Sequence, residues 1–174
     1  MEFTFDTVYD QKAVTAMARG LRKTIRKKRS RRSHVFGWGV IALVLLLTLP
    51  LDGEPMMIDG KTVITWAAGL FVFAALVFED KLNAWIARKR MLAGTDRAVS
   101  TFTQAGYCSE SAMGKTEWRY ENILQLAEDK DYFIFVFDKS HAQVYAKEGM
   151  TGGTAEEFRT FIGEKTGKEV QAIQ

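Results

Sequence analysis

The stretch Ser109-Glu110-Ser111-Ala112-Met113-Gly114-Lys115-Thr116 ends as a phosphate-binding loop ends, in Gly-Lys-Thr. Such a loop works because a helix follows it, and free backbone N–H groups at that helix start hold the phosphates. Here Ser109 stands where the first glycine belongs. The residues that follow, Thr116-Glu117-Trp118-Arg119-Tyr120, alternate as a strand does. A nucleotide hydrolase using Lys115 and Thr116 is therefore only a remote alternative.

The other chemistry-bearing residues are sparse. His34 and His141 are the two histidines, and Cys108 is the one cysteine. Neither histidine has a Cys, a second His or paired carboxylates at ligand spacing, so no metal site is expected. Cys108 has no activating base close in sequence and reads as a half-buried strand residue. A lone cysteine also excludes an intramolecular disulfide, which fits a reduced compartment. Asp129, Asp131 and Asp138 flank a strand and read as solvated turn carboxylates rather than an acid–base pair. No catalytic residue, cofactor or metal is expected.

The elements around these residues say more about location than about chemistry. Two apolar runs without a charge, Val35–Leu51 and Thr62–Phe78, are each 17 residues long. That is about 25 Å of helix, at the short end of what spans a bilayer. Trp38, Trp66 and Trp85 lie where interfacial rings are expected. A basic block precedes the first run, including Lys27, Lys28, Arg29, Arg31 and Arg32. Arg88, Lys89 and Arg90 follow the second. The turn between the runs, Asp52–Lys61, has Asp52, Glu54 and Asp59 against Lys61, with Gly53, Pro55 and Gly60. Positive charge stays inside, so a hairpin with both termini cytoplasmic is expected in the cell membrane. The eight basic residues named would form a membrane-surface collar on anionic headgroups. Glu79 and Asp80 read as interfacial, with Lys81 available to neutralise one of them. Ala68 and Ala75 lie seven apart on the second run and could face another helix.

The net charge of +3 belongs to that collar. From Ala98 onward there are 8 Lys and Arg against 12 Asp and Glu, so this part is acidic and a nucleic-acid partner is disfavoured. It reads as strands over Arg97–Thr103, Lys115–Tyr120, Ile123–Ala127, Tyr132–Phe137 and His141–Tyr145. Thr154 and Glu157 then form a capping box for a helix that runs to about Lys165, and Gly167 follows its end. An antiparallel sheet closed by a C-terminal helix is expected, making an α+β membrane protein.

Several stretches resemble the YcxB-like membrane proteins. They are Trp118-Arg119-Tyr120-Glu121-Asn122-Ile123, Lys130-Asp131-Tyr132-Phe133-Ile134-Phe135, Ala142-Gln143-Val144-Tyr145-Ala146-Lys147 and Glu156-Glu157-Phe158-Arg159-Thr160-Phe161-Ile162. Phe3-Thr4-Phe5-Asp6 resembles the family's opening strand. The family usually has Pro where this chain has Ala146. The resemblance implies a pleckstrin-homology-like C-terminal domain and a membrane-tethered, non-enzymatic binding role. Some related small membrane proteins are associated with bacteriocin self-protection. The partner would be a protein, a membrane component or a toxin. A regulatory or structural subunit of a larger membrane complex is the alternative, and a second copy of the chain is a further candidate partner.

The expected organisation is an N-terminal strand at 1–9, a basic juxtamembrane helix at 10–34, spans at 35–51 and 62–78 around an external loop at 52–61, a second juxtamembrane helix at 79–96, and the cytoplasmic domain at 97–174. Phe3, Phe5, Val8 and Tyr9 are apolar, Phe3-Thr4-Phe5-Asp6 alternates as an edge strand would, and Val14, Met17, Ala18, Leu21 and Ile25 follow at helical spacing. The N-terminal residues are therefore expected to join the domain after the second span. Phe133, Phe135 and Phe137 share one sheet face that needs cover, from the remaining strands, a partner or the N-terminal segment; where the chain itself leaves it bare, that face is the candidate partner surface. The collar makes a testable demand. A peptide of residues 1–34 should bind anionic vesicles in preference to neutral ones, each basic residue contributing on the order of 1 kcal/mol. Replacing Lys27, Lys28, Arg29, Arg31 and Arg32 by Gln should abolish the preference, and equal binding of both peptides would refute the assignment.

Overall fold

A computed structural model describes residues 2–48 and 58–173. Pro50, Pro55 and most of the expected external loop lie outside the described residues. The chain is mixed α+β. Strand β1 (Phe3–Val8) leads into helix α1 (Gln11–Lys23), then α2 (Lys27–Thr48), α3 (Gly60–Val77) and α4 (Glu79–Lys89). Strands β2 (Arg97–Phe102), β3 (Tyr107–Ser111) and β4 (Gly114–Trp118) follow. After a short 3-10 turn come β5 (Gln125–Glu128), β6 (Tyr132–Val136), β7 (Ala142–Ala146) and β8 (Met150–Thr151). Helix α5 (Ala155–Thr166) and strand β9 (Val170–Ala172) close the chain.

There are two sheets rather than one. The first has the order β4-β3-β2-β1-β8, the second β7-β6-β5-β9. β1 pairs antiparallel with β2 along its whole length, from Phe3 opposite Phe102 to Val8 opposite Arg97. The strand before the helices and the strand after them are thus neighbours in one sheet. The pairing β5–β9 is parallel, so the second sheet is mixed and not purely antiparallel. The sheets are stitched at a corner where the Thr7 hydroxyl accepts a hydrogen bond from the Ala146 N–H of β7 (3.0 Å).

The main core lies between the sheets and is almost wholly aromatic. Phe3 and Phe5 of β1 meet Phe102, Tyr107, Phe133, Phe135, Tyr145 and α5's Phe158, all buried. Phe5 sits at the centre: its ring centroid is 4.6 Å from that of Phe158 and 5.5 Å from that of Phe102. The edge-to-face geometry of most of these pairs suits the ring quadrupole and adds to the burial of area. Helix α5 is positioned by its capping box, in which the Thr154 N–H donates to Glu157 Oε2 (2.7 Å) and the Glu157 N–H to Thr154 Oγ1 (3.2 Å). Its end is set by Gly167 at φ 64°. Arg159 anchors it to β5 through Glu128 (3.0 Å).

The expectation that Phe133, Phe135 and Phe137 form a partner face is corrected here. Phe133 and Phe135 are fully buried, and Phe137 stacks on Trp118 at 4.9 Å between centroids. The first sheet covers them. A strand this apolar on both sides needs a second layer on both, and the opposite face supplies the evidence. Tyr132, Ile134 and Val136 pack with Val144 against α1 residues Ala13, Ala16 and Leu21. Helix α1 approaches closely because its contact residues are small. A Cβ at Gly20 would stand 2.5 Å from Ile134 Cγ2. Ile134 is β-branched and cannot easily turn aside.

Phe5 should be among the costliest residues to truncate. Phe5→Ala leaves a cavity between two sheets and should destabilise the domain by about 3–5 kcal/mol, read as a lower midpoint in denaturant at constant slope. A loss under about 1 kcal/mol, within the range of ordinary surface changes, would mean that β1 does not belong to the core.

Candidate membrane interface

The helices leave the domain as two pairs, one resting on the sheet and one projecting away from it. Near the domain α1 packs on α4, and beyond it α2 packs on α3. Both legs break between the pairs. One break is the turn Thr24–Arg26 between α1 and α2, and the other is Phe78 between α3 and α4. The basic block therefore belongs to the first turns of α2, while α1 is a helix of the folded domain. Asp10 caps α1 by accepting from the Ala13 N–H at 2.7 Å.

An ion-pair cluster spans this joint. Arg22 Nε and Nη2 donate to the two carboxylate oxygens of Asp80, both at 2.6 Å. Glu79 lies 3.8 Å from Arg22, 3.7 Å from His34 Nδ1, and accepts from the Ser30 hydroxyl at 3.2 Å. Arg19 reaches both Asp80 and Asp129, each at 3.8 Å, so the cluster runs on into the turn before β6. The Asp80 carboxylate raises the Arg22 pKa above its ordinary value, so the guanidinium stays charged. Bidentate guanidinium–carboxylate geometry is directional as well as strong. Asp80 is thus held by Arg22 rather than by Lys81, whose Nζ lies 5.7 Å over the Phe78 ring.

Beyond the joint α2 and α3 meet in antiparallel contact through glycines. A Cβ on Gly37 would come within 2.7 Å of Leu76, and one on Gly69 within 3.0 Å of Val44. Trp38 packs edge-on to Phe73 at 6.0 Å. Small residues permit such close approach of two helices. Ala68 is exposed. Helix α3 is long and apolar enough to cross a membrane, and among the described residues it is the one such helix. The apolar half of α2 runs from Val35 to Thr48, and the rest of that run lies outside the described residues.

Lys27, Lys28, Arg29, Arg31 and Arg32 are all exposed on α2, and Arg88, Lys89 and Arg90 are exposed at the end of α4. Lys89 Nζ lies 3.7 Å over the ring of the exposed Trp85. This is an amphipathic pairing suited to a headgroup region.

The remaining candidates are dispersed. Ser109–Thr116 forms the β3–β4 hairpin, so Lys115 and Thr116 lie on a strand with no helix start beside them. Cys108 is half-buried in β3. His141 is exposed, with Nδ1 2.6 Å from Asp138 Oδ2. Asp138 also accepts the Ser140 and His141 N–H groups, and these bonds hold its pKa well below the usual carboxylate range. That is the signature of a tight turn. Asp131 pairs with Lys12 at 3.0 Å, which lowers its pKa. No group of three His, Cys, Asp or Glu residues converges among the described residues in a way that could hold a metal ion. Sequence reasoning missed Arg22 and Gly37. Arg22 lies inside a basic run and its partner is 58 positions away; only the acidic pair at the end of the second run hinted that cations were needed there.

The Arg22–Asp80 pair should carry measurable coupling. In a double-mutant cycle with Arg22→Ala and Asp80→Ala, the interaction term should be about 1–2 kcal/mol, above that of an exposed pair. A term near zero would mean that the joint is held by helix packing alone.

The chain matches the family described as YcxB-like protein over residues 102–162, from the end of β2 into α5. No curated protein matches it.

Proposed function

We propose that this YcxB-like chain is a non-enzymatic, two-pass protein of the cell membrane, with a pleckstrin-homology-like binding domain on the cytoplasmic side. One observation carries the reading. The helical pair is inserted between β1 and β2, which are neighbours in one sheet, so both legs leave the domain together. A domain built this way is not on a flexible tether. The Arg22–Asp80 joint ties its orientation to the legs. The span-length helix α3, the glycine contacts of α2 with α3, and two basic clusters on the domain side of those helices support a hairpin across the bilayer. Two sheets around one core, closed by a C-terminal helix, support the pleckstrin-homology-like scaffold.

The role is binding rather than catalysis. The segment closest to a phosphate loop is a β-hairpin, in which Lys115 and Thr116 lie on a strand rather than at a helix start. The bound species is a partner protein, a membrane component or a membrane-active toxin. Self-immunity is the specific form that the family likeness implies.

Topology is the direct test. Ile58 is 75% exposed and lies just before the α3 cap, and Glu169 is exposed after α5. Single cysteines would be placed at each position in a Cys108→Ser background. An impermeant thiol reagent on intact cells should label Ile58→Cys and leave Glu169→Cys unlabelled until the cells are lysed. The opposite pattern would overturn the orientation, and equal labelling of both would overturn the hairpin.

A further inference from the structure

β4 is an open edge of the five-stranded sheet. Lys115, Thr116 and Glu117 are all exposed, and among the described residues neither Lys115 nor Glu117 has an ion-pair partner. The direction of its backbone groups follows from the neighbouring hairpin. The Thr103 N–H donates to the Gly106 carbonyl (2.9 Å) across the β2–β3 turn. Hydrogen-bonded pairs alternate along an antiparallel ladder. Cys108 and Glu110 therefore bond to β2, and Tyr107, Ser109 and Ser111 to β4. Their partners are Trp118, Thr116 and Gly114. The N–H and C=O groups of Lys115 and Glu117 are left pointing out of the sheet.

Other edges are less open. β8 has two residues and β9 three. β7 is partly engaged, since Thr7 takes its Ala146 N–H and the Tyr9 hydroxyl lies 3.5 Å from its Val144 carbonyl. Proteins blunt an open edge with charge, because an unpaired ladder invites another strand. On β4 the charges are of both signs: Lys115 and Glu117 flank Thr116 on the same side of the strand.

We propose that β4 is a homotypic docking strand, through which two copies of this chain pair antiparallel about a two-fold axis at Thr116. Only outward-pointing residues can exchange backbone bonds, so the registers open to β4 are few. Centring on Lys115 sets Lys115 against Lys115, and centring on Glu117 sets Glu117 against Glu117. Centring on Thr116 sets each Lys115 opposite the other copy's Glu117. That register completes four backbone hydrogen bonds and two opposite-charge pairs, with the two Thr116 side chains facing at the close, non-bonded position. The interface is self-complementary, as a two-fold contact must be. It is short, so the dimer is weak and concentration-dependent. Anchoring in a bilayer would raise the local concentration, but the strand pairing does not depend on it.

The test uses the full chain in its host membranes. In Thr116→Cys with Cys108→Ser, mild oxidation should give a disulfide-linked dimer, because facing residues at such a position have Cβ atoms about 4.5–5.5 Å apart. Adding Lys115→Glu should lower the linked fraction roughly tenfold, since the two-fold axis doubles each charge change. Adding Glu117→Lys as well should restore it. The wild-type chain gives a second reading that needs no new cysteine. Its protein mass in mild detergent should rise towards two copies with concentration, and Lys115→Glu should hold it at one. Linkage to a different protein, a drop that the double reversal does not recover, or a wild-type chain that stays at one copy at every concentration would overturn the proposal.

Discussion

The pairing of β1 with β2 is the constraint on which the rest of the molecule depends. Ninety-odd residues separate Phe5 from its partner Ser100, and among the described residues four helices lie between them. Closing so long a loop has an entropic cost that grows only slowly with length. It is offset by what β1 brings. Phe3 and Phe5 complete an aromatic core that the later strands do not fill alone, and Thr7 ties the two sheets at their corner. Once β1 is in place, the start of α1 and the end of α4 must lie on one side of the domain.

That geometry stands the helices on the sheet. Helix α1 covers the face of β6 that the other sheet cannot reach, and its small residues let it lie close. Helix α4 rests on α1, and Arg22 reaches from one to the acidic start of the other. The position of the outer helical pair is thereby coupled to packing on the sheet.

Local signals were legible in the sequence. The capping box at Thr154 and Glu157 and the left-handed Gly167 need only neighbours within a turn. The aromatic and β-branched run at Tyr132–Val136 forms a strand buried on both faces. The alternation of Phe3 and Phe5 marks a strand, and those two residues are buried in the aromatic core. Other elements carried weak signals. β3 holds Ser109, Glu110 and Ser111, polar residues that read as a loop until two flanking strands supply its ladder. β9 is three residues beside β5 in a parallel pairing, which no local pattern announces.

The sequence by itself determined the inventory: apolar runs with basic flanks, an aromatic strand set, and a helix with marked ends. Each of these follows from composition or from contacts a few residues apart. Tertiary structure decided what those parts face. The phenylalanines of β6, which pattern alone marks as needing cover without naming every cover, are closed over by β1, β2 and β3. Asp80 finds Arg22 rather than its neighbour Lys81. Two glycines, unremarked in apolar runs, become the points where α2 and α3 touch. The reason is the same in each case. Periodicity records that a side chain must be buried or paired, but its partner is chosen by long-range packing, and that choice has no local trace.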